Sequence, residues 1–266
     1  MKQISILGCG WLGMPLAIHL LQKGYAIKGS TTTESKLDLL KSEGILPYLI
    51  SLNANELPSN SDAFLENSEV LIINIPPGLR GNTSENFVAK MENFIPFIQK
   101  SSVKKVIFVS STSVYADENQ IVTEETTPNP ETESGKQLLK VENLLLQNPH
   151  FQSTILRFGG LIGKDRHPIK FLAGRNNVEN SEAPINLIHQ IDCIEIIQNI
   201  IEKEVWNTVL NAVAPFHPTR KKYYTEKALE MNLIPPQFNE NEHSVGKTIL
   251  SDKLMQLLNY QFKNLG

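Results

Sequence analysis

The chain has 266 residues, 41% hydrophobic and 20% charged, the make-up of an ordinary folded protein that can bury one large core. Its formal net charge of −3 excludes the basic surface that nucleic acid or an anionic membrane calls for, so neither is an expected partner. Two cysteines, Cys9 and Cys193, are too few for a disulfide framework and fit a reducing compartment. The start shows no signal-peptide pattern and no apolar run reaches membrane-spanning length, so a cytoplasmic location is expected.

Residues 4–7 are a short apolar run that leads straight into Gly8-Cys9-Gly10-Trp11-Leu12-Gly13, and an amphipathic helical pattern then covers about 11–22. Each glycine of this spacing has a physical reason. Gly8 permits the tight turn off the strand, Gly10 lets the backbone approach a pyrophosphate, and Gly13 lets helix and strand pack closely. With Trp11 and Leu12 they set the free N–H groups and positive dipole end of a helix against the phosphates. A strand before and a helix after favour a dinucleotide site over an ordinary strand–helix turn.

A second strand over 25–29 leads into Ser30-Thr31-Thr32-Thr33. An NAD-selective site places Asp or Glu here, about 20 residues past the glycines, on the ribose 2′-hydroxyl. Hydroxyls stand there instead, with Lys36 nearby, so Ser30, Thr31 and Thr32 favour the 2′-phosphate of NADP over NAD. The same residue types equally suit the cap of a helix over 34–42. Residues 45–52 read as a third strand broken by Pro47, and 53–62 as polar loop. The apolar run 70–75 has the pattern of a buried parallel strand and stops at Pro76-Pro77-Gly78. Pro76 there either walls the cofactor cleft or sets a rigid turn.

A helix over 84–100, interrupted or kinked at Pro96, precedes a fifth strand over 103–109. That strand ends in Ser110-Ser111-Thr112-Ser113-Val114-Tyr115. A proline-rich loop at 127–130 leads to a helix over about 133–147, and a strand over 153–158 runs into Gly159-Gly160-Leu161-Ile162-Gly163. Strands alternating with helices imply an α/β protein with a Rossmann-type, doubly wound parallel sheet. The last third is less regular: charged over 164–182, extended over 183–188, helical over 192–203, a strand over 205–212, then helical over 219–232 and 252–258. The expected division is a dinucleotide-binding core of 1–165 that also receives 186–214, with 166–185 and 215–266 as a small substrate-side lid.

The glycine turn, the Ser110–Tyr115 segment, the Lys136 segment, Leu156-Arg157-Phe158-Gly159-Gly160-Leu161-Ile162-Gly163, Asn186-Leu187-Ile188-His189-Gln190-Ile191-Asp192 and Leu210-Asn211-Ala212 follow one another in order. In this the chain resembles the extended short-chain dehydrogenase/reductase superfamily, in particular the small atypical members of its NAD(P)-dependent epimerase and dehydratase branch. The resemblance implies NADP or NAD as cofactor, a sugar-like or nucleotide-linked small molecule as substrate, and a monomer or homodimer. It also implies a Ser, Tyr and Lys in the working site. The Tyr phenolate exchanges a proton with the substrate, the Ser orients the substrate hydroxyl, and the Lys holds the nicotinamide ribose.

Ser111 matches the serine, and Lys136 matches the lysine as a catalytic and cofactor-binding residue. The tyrosine position, four residues before Lys136, holds Thr132. A phenol with a pKa of about 10 can be drawn towards neutrality by a nearby cation, whereas an aliphatic hydroxyl cannot. Tyr115 is expected in packing or against substrate, and Arg166 and His167 lie in the loop that meets substrate in related enzymes. Arg157 reads as an ion-pair partner, Cys9 as a small core residue, and the histidines show no metal-ligand spacing, so no metal is expected. Two functions follow: an NAD(P)-dependent epimerase, dehydratase or reductase, or a non-catalytic NAD(P)-binding redox sensor or regulatory protein that has lost the proton-transfer tyrosine.

Overall fold

The computed structural model describes residues 2–79 and 86–263. In chain order its strands are β1 (Gln3–Leu7), β2 (Ala26–Thr31), β3 (Leu46–Leu49), β4 (Val70–Ile73), β5 (Lys105–Ser111) and β6 (Gln120–Val122). Then come β7 (Gln152–Phe158), β8 (Gly160–Ile162), β9 (Leu187–His189), β10 (Thr208–Ala212) and β11 (Lys247–Ile249). The helices are α1 (Gly13–Gln22), α2 (Leu37–Ser42), α3 (Ser61–Leu65), α4 (Phe87–Lys100) and α5 (Glu133–Leu146). They are followed by α6 (Ile169–Leu172), α7 (Gln190–Glu202), α8 (Arg220–Glu230) and α9 (Asp252–Leu258).

Seven strands form one sheet in the order β10-β7-β5-β4-β1-β2-β3, parallel at every pairing. The order reverses between β1 and β4, and such a reversal opens a crevice at the carboxyl ends of the strands. The glycine turn leaves β1 there.

Strand side chains alternate between faces, and that period of two divides the core. Ile4, Ile6, Val70 and Ile72 join Leu16 and Leu20 of α1 with Ile196 and Ile200 of α7 on one face. Leu7, Leu71 and Ile73 join Met91 and Phe94 of α4 with Leu138 and Val141 of α5 on the other. Each such side chain contributes about 1.5–3 kcal/mol by leaving water. A third cluster joins Ile162, Ile169, Ile185, Leu187, Tyr223 and Tyr224 beyond the carboxyl end of β7.

Several boundaries differ from expectation, each for a local reason. Pro47 does not break its strand, because β3 is the edge of the sheet and one side of it needs no partner. The helix expected over 34–42 is divided into a single 3-10 turn, Glu34–Lys36, and α2. The polar loop at 53–62 gives way to α3. Helix α4 continues through Pro96 and starts behind Asn86, whose side chain accepts the Ala89 N–H; the expected start at residue 84 lies outside the described residues. Strands β6 and β11 pair in parallel, although each is too short to show a period. Finally, Leu254, Leu258 and Tyr260 pack with Ile196 and Leu210, so α9 covers the sheet instead of belonging to a lid.

Candidate functional site

The glycine turn is closed on both flanks and open in the middle. Gly8 has φ +103°, and a Cβ there would lie 2.5 Å from the Asn74 carbonyl oxygen. Its N–H donates to Ser30 Oγ at 2.9 Å and the Cys9 N–H donates to the Ser30 carbonyl at 2.8 Å. From the other side Asn74 Nδ2 donates to the Gly8 carbonyl at 3.0 Å. A Cβ on Gly13 would overlap that same carbonyl oxygen. At Gly10 a Cβ would meet nothing within 4 Å. The Met14 N–H makes the helix's first bond, to the Gly10 carbonyl at 3.0 Å, so the amides ahead of it point off the helix end. An open hollow lined by unpaired amides at a positive dipole end fits a pyrophosphate.

Trp11 joins this turn to the C-terminal part of the chain. Its indole Nε1 donates to Asp165 Oδ1 at 2.9 Å, and Gln190 Nε2 donates to its carbonyl at 2.7 Å. The Arg166 guanidinium carbon lies 4.9 Å from the ring centroid. The indole N–H is the main reason the Asp165 carboxyl is held below the usual carboxylate range, with its own backbone amide next.

At the end of β2 the hydroxyls divide by burial. Ser30 is buried and its oxygen is engaged by Gly8, so it shapes the turn and is not a 2′-phosphate ligand. Thr31 is buried and accepts the Thr33 N–H at 3.1 Å. Thr32, Thr33 and Lys36 are exposed. Pro76 stands exposed on the rim just after Asn74, the residue that braces the turn.

Helix α5 packs against the sheet through Leu138, Val141 and Leu145. Glu142 faces inward, its Oε2 2.5 Å from Arg157 Nη2 and its Oε1 accepting the Ser110 hydroxyl at 2.5 Å. Residues advance about 100° per position, so Leu138 lies about 40° from Glu142 and Lys136 about 120° away. Leu138, Val141, Glu142 and Leu145 are buried whereas Lys136 is exposed. Thr132 is the helix N-cap, its oxygen accepting the Gly135 N–H at 3.1 Å. Gln137 is engaged as well, accepting the Phe87 N–H at 2.7 Å.

Tyr115 is an interior residue and is therefore removed from the expected substrate contacts. It is 2% exposed, its hydroxyl donating to Asn211 Oδ1 at 3.0 Å and accepting from Arg157 Nη1 at 2.6 Å. Burial pushes its phenol up, against the pull of Arg157, so it cannot serve as a base near neutrality. Ser111 closes β5 half-buried, accepting the Ser113 N–H at 3.1 Å and keeping its own proton to donate.

His167 is also structural. Its Nδ1 accepts the Ile169 N–H at 3.2 Å, so the neutral ring carries its proton on Nε2, 3.0 Å from the Tyr223 hydroxyl. Burial, then Lys227 and Lys170, lower its pKa. Burial also pushes the Cys9 thiol up to about 12, which makes it inert. Asn74, Asp165 and Gln190 were not expected at the site. The only sequence signal for Asn74 is a polar residue closing an apolar strand; the other two had none.

Among the described residues no group of three or more His, Cys, Asp or Glu could hold a metal ion, and no helix is long and apolar enough to cross a membrane. The sheet order, its reversal beside the glycine turn and the turn's open hollow define a Rossmann-like α/β protein. Residues 3–132 match the family described as the NAD binding domain of 6-phosphogluconate dehydrogenase. UDP-glucuronic acid 4-epimerase from Bacillus cereus, solved in complex with NAD, superposes with a TM-score of 0.82 at 18% identity, over 99% of this chain and 92% of that one. UDP-glucose 4-epimerase from Thermotoga maritima, solved with UDP-glucose, gives 0.83 at 16% identity, over 98% and 94%. Protein YeeZ of Escherichia coli K12 is 34% identical over 266 residues, 99% of this chain and 96% of the relative. The chain belongs to the YeeZ family.

Proposed function

We propose that the chain binds NADP(H) in preference to NAD(H) and acts as an epimerase- or reductase-like protein on a sugar-like, nucleotide-linked small molecule. The observation that carries this reading is the hollow at Gly10, where a Cβ would meet nothing within 4 Å while both flanks of the turn are braced. Exposed Thr32, Thr33 and Lys36 supply hydroxyls and a cation for a 2′-phosphate. For the substrate class the support is likeness of fold, since one of the similar epimerases was solved with UDP-glucose. In this reading Ser111 donates its remaining proton to a substrate hydroxyl at the end of β5.

A second reading, a dinucleotide-binding sensor without turnover, is favoured by the start of α5. Thr132, whose oxygen caps the helix, stands where a proton relay needs a phenol. Calorimetric titration with NADPH and NADH tests the shared part, with NADPH expected to bind about tenfold more tightly through its extra phosphate. Tighter NADH overturns the NADP preference, and failure of both overturns the dinucleotide reading. Turnover of nucleotide sugars, followed by the reduced nicotinamide absorbance, separates enzyme from sensor.

A further inference from the structure

The loop that follows β8 rests on the glycine turn through one aromatic ring. Gly163 and Arg166 form an antiparallel bridge, with the Gly163 N–H donating to the Arg166 carbonyl at 2.8 Å and the return bond at 3.2 Å. This fixes the backbone from which the Arg166 side chain leaves. Trp11 lies against Gly163, where a Cβ would come within 2.8 Å of the indole Cζ2, so the loop can approach this closely only with glycine there. Asp165 holds the indole N–H, Gln190 holds the Trp11 carbonyl, and the Arg166 guanidinium lies over the ring at 4.9 Å.

Trp11 directly follows Gly10 and is among the residues whose amides precede the helix's first bond. Its backbone therefore faces the hollow while its ring carries a cation. A guanidinium carries its N–H groups around its edge, in a fork that can grip two oxygens of a phosphate at once. We propose that Arg166 clamps the pyrophosphate of the bound dinucleotide from the C-terminal side, with the Trp11 ring as the platform that aims it. Arg166 is thus a cofactor-positioning residue and not the substrate contact expected from the sequence. The proposal rests on the dinucleotide reading above. It has a further consequence: the loop at 163–166 is held down most firmly when the cofactor is in place.

The test is calorimetric binding of ADP-ribose, NADH, NADPH and 2′-AMP to wild type, Arg166→Ala, Arg166→Lys and Trp11→Leu. The first three ligands share the pyrophosphate, and 2′-AMP lacks it. Arg166→Ala should weaken those three by one common factor, about ten- to a hundredfold for a lost charged hydrogen-bonding group, and leave 2′-AMP unchanged. Arg166→Lys keeps the charge without the fork and should recover part of the loss. Trp11→Leu keeps the guanidinium without its platform and should weaken the three equally but less. A loss confined to NADPH would place Arg166 on the 2′-phosphate and overturn the proposal, as would unchanged affinity for all four. Wild type that binds none of the three dinucleotide-type ligands would instead overturn the dinucleotide reading.

Discussion

The two ends of the crevice are built on opposite plans. At the β1 end the polar side chains around the turn, Ser30 and Asn74, are engaged in holding backbone, and what they hold is a hollow lined by free amides. At the β5 end the polar side chains are engaged just as fully, and they hold one another. Glu142 takes Arg157 and Ser110, Tyr115 takes Arg157 and Asn211, and Thr132 caps α5. The first plan leaves binding capacity facing the crevice. The second leaves Ser111 half-buried and Lys136 exposed, with the capping Thr132 where a phenol would stand.

The contrast breaks most visibly at Glu142. Its pair with Arg157 is buried, with side-chain exposures of 1% and 5%, so removing one partner strands a charge in the interior. Glu142→Ala should lose about 3–5 kcal/mol in urea unfolding, whereas Glu142→Leu with Arg157→Met should recover much of it. NADPH affinity of the double variant should stay near wild type, because this network does not touch the glycine turn. A tenfold loss of affinity at full stability would mean that the two ends are coupled.

How far each end was legible follows from how local its determinants are. The β1 turn was readable because strand, glycines and helix are contiguous, so spacing alone fixes their geometry. The inward setting of Glu142 was not. It is tied to Arg157, which sits on β7 fifteen positions beyond Glu142 and pairs with it only after the sheet assembles. At His167 two roles stayed open in the sequence, because a residue that suits ligand contact also suits holding a turn, as its Nδ1 does with the Ile169 N–H. Burial, which separated the two roles at Ser30 and Tyr115, depends on chain brought in from elsewhere.

A smaller effect tests whether His167 is committed to structure like the groups around α5. Its folded pKa is lowered, first by burial and then by Lys227 and Lys170. The unfolded chain therefore takes up the proton first as pH falls below about 6.5, and native stability declines through that window towards the lower folded pKa. Between pH 7.5 and 5.5 wild type should lose about 1 kcal/mol or less that His167→Gln does not lose, read by urea unfolding at each pH. The opposite slope would show that His167 is charged in the folded state and would reopen it as an anion contact.

The smallest effect is the sharpest test of the α5 end. Lys136 is exposed, so Lys136→Ala should change stability by no more than about 0.5 kcal/mol. If its amine holds the nicotinamide ribose, the same variant should weaken NADPH and NADH by one common factor of about ten. Leu138→Ala on the inward face is the control. It removes a buried side chain and should cost about 2–5 kcal/mol. Affinities for both dinucleotides left unchanged by Lys136→Ala, with Leu138→Ala destabilised as expected, would mean that the β5 end of the crevice lacks its lysine as well as its tyrosine.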